Sequence, residues 1–254
     1  MLLQKFINSR MKIFRTLFLI LIFLGCSEEK KEKEASREKE IQALVTVSNE
    51  HKTELNIINS LKETKALNIL DYLYFYNGGG VAIGDINNDG LPDVFFTANM
   101  GSNKLYLNKG NFTFEDISEE AGVTGNKPWS TGVAMADINA DGWLDIYVSN
   151  AGNMEGNNHD NDLYINNGPS KLRSGPAEAE SQTVTFTEKA AEYNLAKTGF
   201  STHASFFDYD KDGDVDLCVG GRLVPGNYGL TPRSFLLRND SKKGSAKFTD
   251  VAFN

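Results

Sequence analysis

The sequence predicts an all-β fold made of repeated four-stranded sheets, and three observations support this prediction. A nine-residue pattern, D-x-[DN]-x-D-G-x-x-D, occurs three times, beginning at Asp85, Asp137 and Asp208. Each copy lies between a stretch of apolar or small residues and a run of alternating β-type residues, so that it joins two strands. Each copy is also followed by a second pair of strand-like segments. Four-stranded units that recur at about 40–60 residues are typical of a β-propeller, and we predict a partial propeller of about three blades.

The predicted strands follow the same order in each repeat. They are GVAIG, VFFTAN, KLYLN and FTFEDIS in the first repeat, GVAMA, IYVSN, DLYIN and VTFTEKA in the second, and HASFF, LCVGG, SFLLRN and KFTDVA in the third. The nine-residue patterns begin 52 and then 71 residues apart. The extra length lies in two polar segments of the second repeat, AGNMEGNNHDN and GPSKLRSGPAEAESQ, which we interpret as loops.

The N-terminal residues are typical of an export signal. After Met11, two basic residues precede an apolar run at residues 17–24, and Gly25 and Cys26 follow. The run is about half of the ~20 residues that a membrane span needs, so we interpret residues 1–25 as a signal peptide. Gly25-Cys26 resembles the lipobox of bacterial lipoproteins, which implies that Cys26 is the lipidation site. An ordinary secretory signal with an incidental cysteine is the alternative.

A charged tether is predicted at residues 26–44. Within it, residues 27–40 carry 11 charged side chains among 14, and such a segment stays solvated because it has almost no apolar surface to bury. Glu28-Glu29 resembles the surface-export signal of Bacteroidetes lipoproteins, which implies display outside the outer membrane. We expect a lead-in segment at residues 45–78 and three repeats within residues 79–254, at about 79–125, 126–195 and 196–254.

Composition and charge exclude several classes of protein. With 26 Lys and Arg against 34 Asp and Glu, the formal charge is −8, and no basic patch interrupts the acidic average. Nucleic acid is therefore not expected as a partner. Two cysteines and three scattered histidines do not supply a zinc cluster or a disulfide framework. Because lipidation of Cys26 leaves Cys218 without a partner, we expect Cys218 to be a buried free thiol in an apolar strand.

The nine-residue pattern has the residue types of a calcium loop. Ca²⁺ takes about 6–8 oxygen ligands, and alternate side chains of a tightly curled loop can point inward together. Positions 1, 3, 5 and 9 offer side-chain oxygens, Gly at position 6 permits the turn, and position 7 offers its backbone carbonyl. The expected ligands of three structural Ca²⁺ sites are Asp85, Asn87, Asp89, the Leu91 carbonyl and Asp93; Asp137, Asn139, Asp141, the Trp143 carbonyl and Asp145; and Asp208, Asp210, Asp212, the Asp214 carbonyl and Asp216.

Two other interpretations of the pattern compete with this one. An EF-hand needs Glu at position 12, where this chain has Phe96, Val148 and Val219. The pattern is also ordinary turn chemistry, since Asn, Asp and Gly all favour tight turns. Three copies with the same ninth-position Asp and the same flanking strands favour the metal site.

These residues resemble the FG-GAP/VCBS repeat family. The stretches YLYFYNGGGVAIGDINNDGLPDVFFTAN (residues 72–99) and VGGRLVPGNYGLTPRSFLLRND (residues 219–240) are similar to Bacteroidetes lipoproteins of the cartilage acidic protein-like, ASPIC/UnbV-associated group. The resemblance implies an integrin-α-like propeller, usually seven-bladed, with calcium between the first two strands of a blade. Three blades alone would leave open sheet edges, an aggregation liability. We therefore expect the remaining blades to come from further C-terminal sequence or from a partner.

No catalytic motif stands out. GxSxG and HExxH are absent, and Gly78-Gly79-Gly80 lacks the Lys of a phosphate-binding loop. His203 is more simply an ordinary hydrogen-bonded histidine at a strand start than a base beside a metal loop. We expect a non-enzymatic, calcium-binding lipoprotein of the cell outer membrane that is exposed at the surface and contacts an extracellular protein or glycan. The alternative is the N-terminal scaffold of a larger extracellular carbohydrate-active or hydrolytic enzyme, which unpaired acidic residues and aromatics in a central cavity would favour.

Overall fold

A computed structural model describes residues 53–65, 67–152, 159–171, 182–197, 199–222, 224–227, 229–242 and 246–252. All of them belong to one compact unit, Glu50–Asn254. The predicted signal peptide, Cys26 and the charged tether lie outside the described residues, as does the first part of the predicted lead-in segment. Within these ranges, no helix is long and apolar enough to cross a membrane.

Twelve strands of the described residues form three antiparallel sheets of four strands, each connected up and down in chain order. The first sheet contains β1 (Val81–Gly84), β2 (Asp93–Phe96), β3 (Lys104–Asn108) and β4 (Phe114–Asp116), and a short helix, α1 (Ser118–Ala121), follows it. The second contains β5 (Ser130–Ala136), β6 (Asp145–Asn150), β7 (Asp162–Lys171) and β8 (Gln182–Glu188). The third contains β9 (Ser201–Phe207), β10 (Asp216–Gly221), β11 (Phe235–Asn239) and β12 (Phe248–Asp250). The predicted all-β class with three blade-like units is confirmed.

The hairpin of β7 and β8 is longer than the sequence predicted. The segment GPSK, interpreted above as the start of a loop, continues β7 to Lys171, which pairs with Gln182. A register shift between Asn166 and Pro169 lets the strand accommodate Pro169, which has no N–H to donate to the ladder. The loop prediction for these four residues is therefore wrong.

Consecutive residues of β6 point to opposite neighbouring sheets. Ile146 packs in the core that the second sheet shares with the first, and Tyr147 packs in the core that it shares with the third. Because both faces of the sheet are covered, all six residues of β6 are buried. This neighbour-to-neighbour packing is the arrangement of propeller blades.

The first strands of the three sheets lie side by side, β1 against β5 and β5 against β9. Glycines permit this approach. A Cβ at Gly80 would lie 2.7 Å from the Thr131 carbonyl oxygen, and a Cβ at Gly132 would lie 2.6 Å from the Thr202 carbonyl oxygen. The third blade has His203 at the equivalent position, and its side chain is exposed. The glycines therefore mark the close inner contact between successive blades.

The two outer sheets each keep one face open in the part of the chain that the structure describes. On β1, Val81 and Ile83 are 55% and 67% exposed, although Val133, equivalent to Val81 in the second blade, is buried in the shared core. On β10, Cys218 is a free thiol of intermediate exposure, which corrects the expected burial. Strand alternation makes Cys218 the equivalent of buried Tyr147, but no described blade covers this face.

The segment before β1 packs on the blade ends that lie opposite to the nine-residue loops. Tyr72 and Phe75 are buried with Trp129 in a separate small core. The Tyr106 hydroxyl donates a hydrogen bond to the Asn56 carbonyl at 2.9 Å. Since Tyr106 belongs to β3, this segment also covers part of the first sheet.

Replacing Gly132 with Ala should destabilise the packing of β5 on β9. The new Cβ would meet backbone atoms of the next blade, including the His203 Cα at 2.9 Å. We therefore expect the free energy of unfolding to fall by about 1–3 kcal/mol. Gly199→Ala is the control, because a Cβ there has nothing within 4 Å. Urea unfolding at a fixed calcium concentration measures both variants, and equal stabilities would contradict the close strand packing.

Candidate metal centre

The three nine-residue loops share one backbone conformation. At position 4, Asn88, Ala140 and Lys211 have φ values of 55°, 56° and 65°. The glycines at position 6 have φ values of 87°, 92° and 97°, in a region that only Gly adopts readily. Asn tolerates a positive φ better than Ala or Lys does, so position 4 is less strained in the first loop than in the other two.

Position 1 closes the loop onto its own backbone. In the first loop the two carboxylate oxygens of Asp85 accept hydrogen bonds from the N–H groups of Asp89 at 3.1 Å and Gly90 at 2.8 Å. Asp137 accepts the equivalent bonds in the second loop. In both loops the Asn at position 3 accepts from the N–H of position 5 and donates its side-chain N–H to the position 5 carboxylate. The oxygens at positions 1, 3 and 5 therefore converge.

Position 9 is fully buried in all three loops, at Asp93, Asp145 and Asp216. Each of these carboxylates accepts one backbone N–H from loop position 2 and another from an Asn of the third strand, which ends β3 and β11 but lies within β7. In the second blade the donors are Ile138 at 3.0 Å and Asn166 at 2.8 Å. A carboxylate has about four lone-pair sites, so two N–H bonds leave sites for a cation.

Burial raises the pKa of two of these carboxyl groups. The pKa of Asp93 is raised to about 6 and that of Asp145 to about 7, chiefly because burial disfavours the charged form. The two backbone N–H bonds oppose the rise, and the carboxylates at positions 1 and 5 add to it. A bound cation would favour the charged form instead. The loops thus hold buried carboxyl groups whose charged form a bound cation would stabilise.

The third loop contains the densest acidic cluster. Carboxylate oxygens of Asp208, Asp210 and Asp216 lie within 4.8 Å of one another. Asp214, expected to contribute its backbone carbonyl, also has a buried side-chain oxygen with no hydrogen-bond partner among the described residues. Burial and the neighbouring loop carboxylates raise its pKa to about 6. The sequence pattern did not indicate this side-chain oxygen, because position 7 is apolar in the other two loops.

The donor set fits calcium. The N–H groups at position 7, from Leu91, Trp143 and Asp214, donate to the position 5 carboxylates at 2.8, 2.9 and 3.2 Å, which holds that carboxylate in the loop. The side-chain donors at positions 1, 3, 5 and 9 are carboxylate or amide oxygens, the ligands that a hard cation such as Ca²⁺ prefers over softer metals. These residues, with the position 7 carbonyl, would hold the ion, which would offset two of the negative charges in each loop.

An asparagine that the sequence analysis did not single out joins each loop to its own blade. Asn108 and Asn239 end β3 and β11, Asn166 lies within β7, and the backbone N–H of each donates to the position 9 carboxylate at 2.8 Å. Each side-chain nitrogen donates to the carbonyl just before position 9, and each side-chain oxygen accepts the N–H two residues further on. The repeated Asn after the apolar residues of KLYLN, DLYIN and FLLRN is the signal that could have indicated it.

The same asparagines connect neighbouring blades. The side-chain nitrogen of Asn166 also donates to the carbonyl of Ile86, at position 2 of the first loop, at 2.9 Å. Asn239 makes the equivalent, longer contact of 3.5 Å with the second loop. Asn88 of the first loop donates to the Gly142 carbonyl of the second at 2.9 Å. The first two loops are thus held both by their own blades and by the blades that follow.

Repeated four-stranded sheets, each with an acidic loop between its first two strands, define a propeller-type repeat protein. Residues 85–148, from the first loop into β6, match the family model described as FG-GAP-like repeat. The FG-GAP-type repeat expected from the sequence is therefore confirmed, and it indicates an extracellular protein-interaction module.

Three curated relatives, all named cartilage acidic protein 1, are similar to part of this chain. The Xenopus tropicalis protein is 43% identical over 76 residues, which is 30% of this chain and 12% of the relative. The Mus musculus protein is 41% identical over 73 residues, 29% of this chain and 11% of the relative. The Homo sapiens protein is 41% identical over 76 residues, 30% and 12% respectively. The match thus spans about an eighth of the length of these relatives.

Replacing Asn166 with Ala should destabilise both its own blade and the contact with the first loop. The substitution removes three side-chain hydrogen bonds and leaves buried backbone groups without a partner, so we expect a loss of about 2–4 kcal/mol in unfolding free energy. The adjacent, exposed Asn167→Ala is the matched control, with an expected change within about 0.5 kcal/mol. Urea unfolding at fixed calcium compares them. A similar effect of both variants would show that the connection contributes little.

Proposed function

We propose that this protein is a calcium-binding, lipid-anchored and non-catalytic propeller module of the cell envelope. It is displayed outside the outer membrane, where it contacts an extracellular protein or glycan. Calcium is structural in this proposal, with one ion in each of the three loops. Nucleic acid is not among the proposed partners, because the chain carries a formal charge of −8.

The observation that carries the proposal is the acidic cluster of the third loop, repeated in outline in the other two. Three carboxylates approach within 4.8 Å there, and a buried carboxylate occupies position 9 in every loop. Without a cation these groups repel one another across a tight turn. Calcium binding would reduce that repulsion and tie the first two strands of each blade together.

A non-catalytic role is supported by the cavity between the first strands. Its lining includes aromatic residues but no Asp or Glu. The paired carboxylates that a glycoside hydrolase needs are therefore not supplied by that lining. Among the described residues, the carboxylates close enough to share a metal ion are Asp208, Asp210 and Asp216 of the third loop, which are expected metal ligands.

Further blades are part of the proposal. The open faces at Ile83 and Cys218 lie on opposite ends of the row of sheets, and each has the position of a face that is covered between the described blades. Blades supplied by additional sequence or by a partner would bury both faces and remove the open sheet edges.

Calcium should stabilise the protein, and Asp208→Asn should reduce that gain. At a free calcium of about 100 times Kd each site adds about 2.7 kcal/mol, with Kd of about 10⁻⁴–10⁻³ M as in extracellular modules. Asp208→Asn removes one ligand charge. The calcium-dependent increase in unfolding free energy should therefore fall by about the contribution of one site. Metal-free stability should stay equal or rise, because the cluster loses a repelling charge. Calorimetric unfolding in EGTA and in excess calcium measures both quantities.

Asp240→Asn is the matched control for this experiment. Asp240 lies just outside the third blade's β11 and pairs with Arg238 at 2.8 Å, so its removal should leave the calcium-dependent gain unchanged. The metal assignment fails if EGTA leaves the melting temperature of the parent protein unchanged, or if Asp240→Asn lowers the gain as much as Asp208→Asn.

The lipid anchor has its own test. The sequence that precedes Cys26 supports acylation of this residue, so cells that express the protein and receive labelled palmitate should incorporate label into it. Cys26→Ser should abolish incorporation and release the protein from the membrane fraction, whereas Cys218→Ser should have neither effect. Label retained in Cys26→Ser would contradict the assignment.

A further inference from the structure

Asn77 and Gly78 form an Asn-Gly pair just before β1. Asn77 is exposed and follows the turn at residues 73–76. Its own N–H donates to the Tyr74 carbonyl at 3.0 Å, and the Gly78 carbonyl accepts a hydrogen bond from the Asn99 side chain at 3.1 Å. Among the described residues, neither the side-chain amide of Asn77 nor the N–H of Gly78 makes a hydrogen bond. The backbone on either side of the pair is thus held, whereas these two groups are available to react.

The space around the pair is open. A Cβ at Gly78 would have nothing within 4 Å, and the φ of this residue is 80°. Because Gly has no Cβ to hinder the approach, the backbone nitrogen that follows an Asn reaches the side-chain carbonyl carbon most readily when the next residue is Gly. The pair therefore has both the residue type and the room for a ring to close between these two atoms.

The chain contains a second Asn-Gly pair, Asn167-Gly168, which hydrogen bonds restrain. Asn167 is also exposed, but its side-chain nitrogen donates to the Thr185 hydroxyl at 3.2 Å, and its side-chain oxygen accepts from the Thr187 hydroxyl at 3.0 Å. The Gly168 N–H donates to the side-chain oxygen of Asn166 at 2.9 Å. Ring closure at this pair requires all of these bonds to break first. Hydrogen bonding, and not exposure of the Asn, therefore distinguishes the two pairs.

Asn77 lines a cavity of about 260 Å³ between the segment before β1 and the starts of the first strands. Arg222 is the formally charged residue of that lining, which contains no Asp or Glu. Its guanidinium carbon lies 4.3 Å from the centre of the Tyr74 ring, and the ion pairs of the described residues do not include it. A carboxylate formed at position 77 would therefore meet a cation without a competing acid.

We propose that Asn77 is a site of spontaneous deamidation, which leaves at this position a carboxylate that pairs with Arg222. The Gly78 nitrogen attacks the side-chain carbonyl carbon of Asn77 and forms a C–N bond. Ammonia leaves as the amide C–N bond breaks, and the Gly78 proton reaches the departing nitrogen through solvent. Water then opens the cyclic imide at either carbonyl, which gives aspartate or isoaspartate. One water is consumed and one ammonia is released, and both products carry a free carboxylate.

The new carboxylate would connect the segment before β1 to the third blade, because Arg222 directly follows β10. The ammonia that leaves is lost to solvent, so the converted fraction increases with the age of the molecule. The modification would thus slowly strengthen one contact between distant parts of the fold. This inference goes beyond the proposed function, since it depends neither on a bound metal nor on the lipid anchor.

Peptide mass spectrometry of the folded protein, incubated at mildly alkaline pH with millimolar calcium, measures both Asn-Gly pairs in one sample. The peptide that contains Asn77 should exchange NH for O at least about tenfold faster than the peptide that contains Asn167, because Asn167 must first lose its hydrogen bonds. In urea, where those bonds are absent, the two peptides should react at similar rates. Asn77→Gln should abolish the fast reaction, since its side chain is longer by a methylene and does not form the same ring.

Asn77→Asp tests the pairing with Arg222. It should raise the melting temperature, and the rise should disappear when Arg222→Gln is combined with it. Asn167→Asp is the matched control and should give no rise that depends on Arg222. Two results would overturn the proposal: equal deamidation rates of Asn77 and Asn167 in the folded protein, and a melting temperature of Asn77→Asp that does not depend on Arg222. The rate comparison uses the unsubstituted protein, so it decides whether Asn77 is the reactive site even if a variant does not fold.

Discussion

The buried carboxylate at the ninth loop position is the interaction on which each blade depends. In the second blade, Asp145 accepts one N–H from the loop and one from Asn166, within β7. It therefore joins the turn between the first two strands to the third strand, which follows 17 or more residues later. Removing it would leave buried N–H groups without acceptors, and such groups cost about 1–3 kcal/mol each. Because the side chain of Asn166 also donates a hydrogen bond to the first loop, the same interaction helps to fix the packing of the second blade against the first.

This arrangement concentrates negative charge at buried loop positions, where solvent screens it least. The pKa of Asp145 is raised to about 7 by burial, and Asp210 in the third loop also has a raised pKa from desolvation and its acidic neighbours. A divalent cation favours the charged forms and offsets two of the negative charges at once. Stability that depends on such an ion is greatest in a compartment with millimolar calcium, which agrees with the export signal predicted at the N-terminus.

The two ends of the sheets differ in chemistry and are separated by the length of the first strands. One end has the acidic loops, and the other has Arg222, Trp129 and their aromatic neighbours. β5 has seven residues, which corresponds to about 24 Å at ~3.4 Å per residue. At that distance a surface charge is largely screened at physiological ionic strength. A substitution at one end is therefore not expected to alter the electrostatics of the other end.

The sequence by itself determined the repeat, the three nine-residue loops and the strands apart from the extension of β7 to Lys171, because alternation of apolar residues and turn chemistry are properties of neighbouring residues. Asp85 to Asp93 could be recognised as one oxygen-rich turn for the same reason. Only the tertiary structure decided that Cys218 lies on a partly exposed face, that Asp214 has an unpartnered side-chain oxygen, and that Arg222 meets Tyr74. These features depend on contacts between distant parts of the chain, as in the bond from Asn166 to Ile86, 80 residues away. No local pattern encodes such pairings, since they arise when one sheet packs on another.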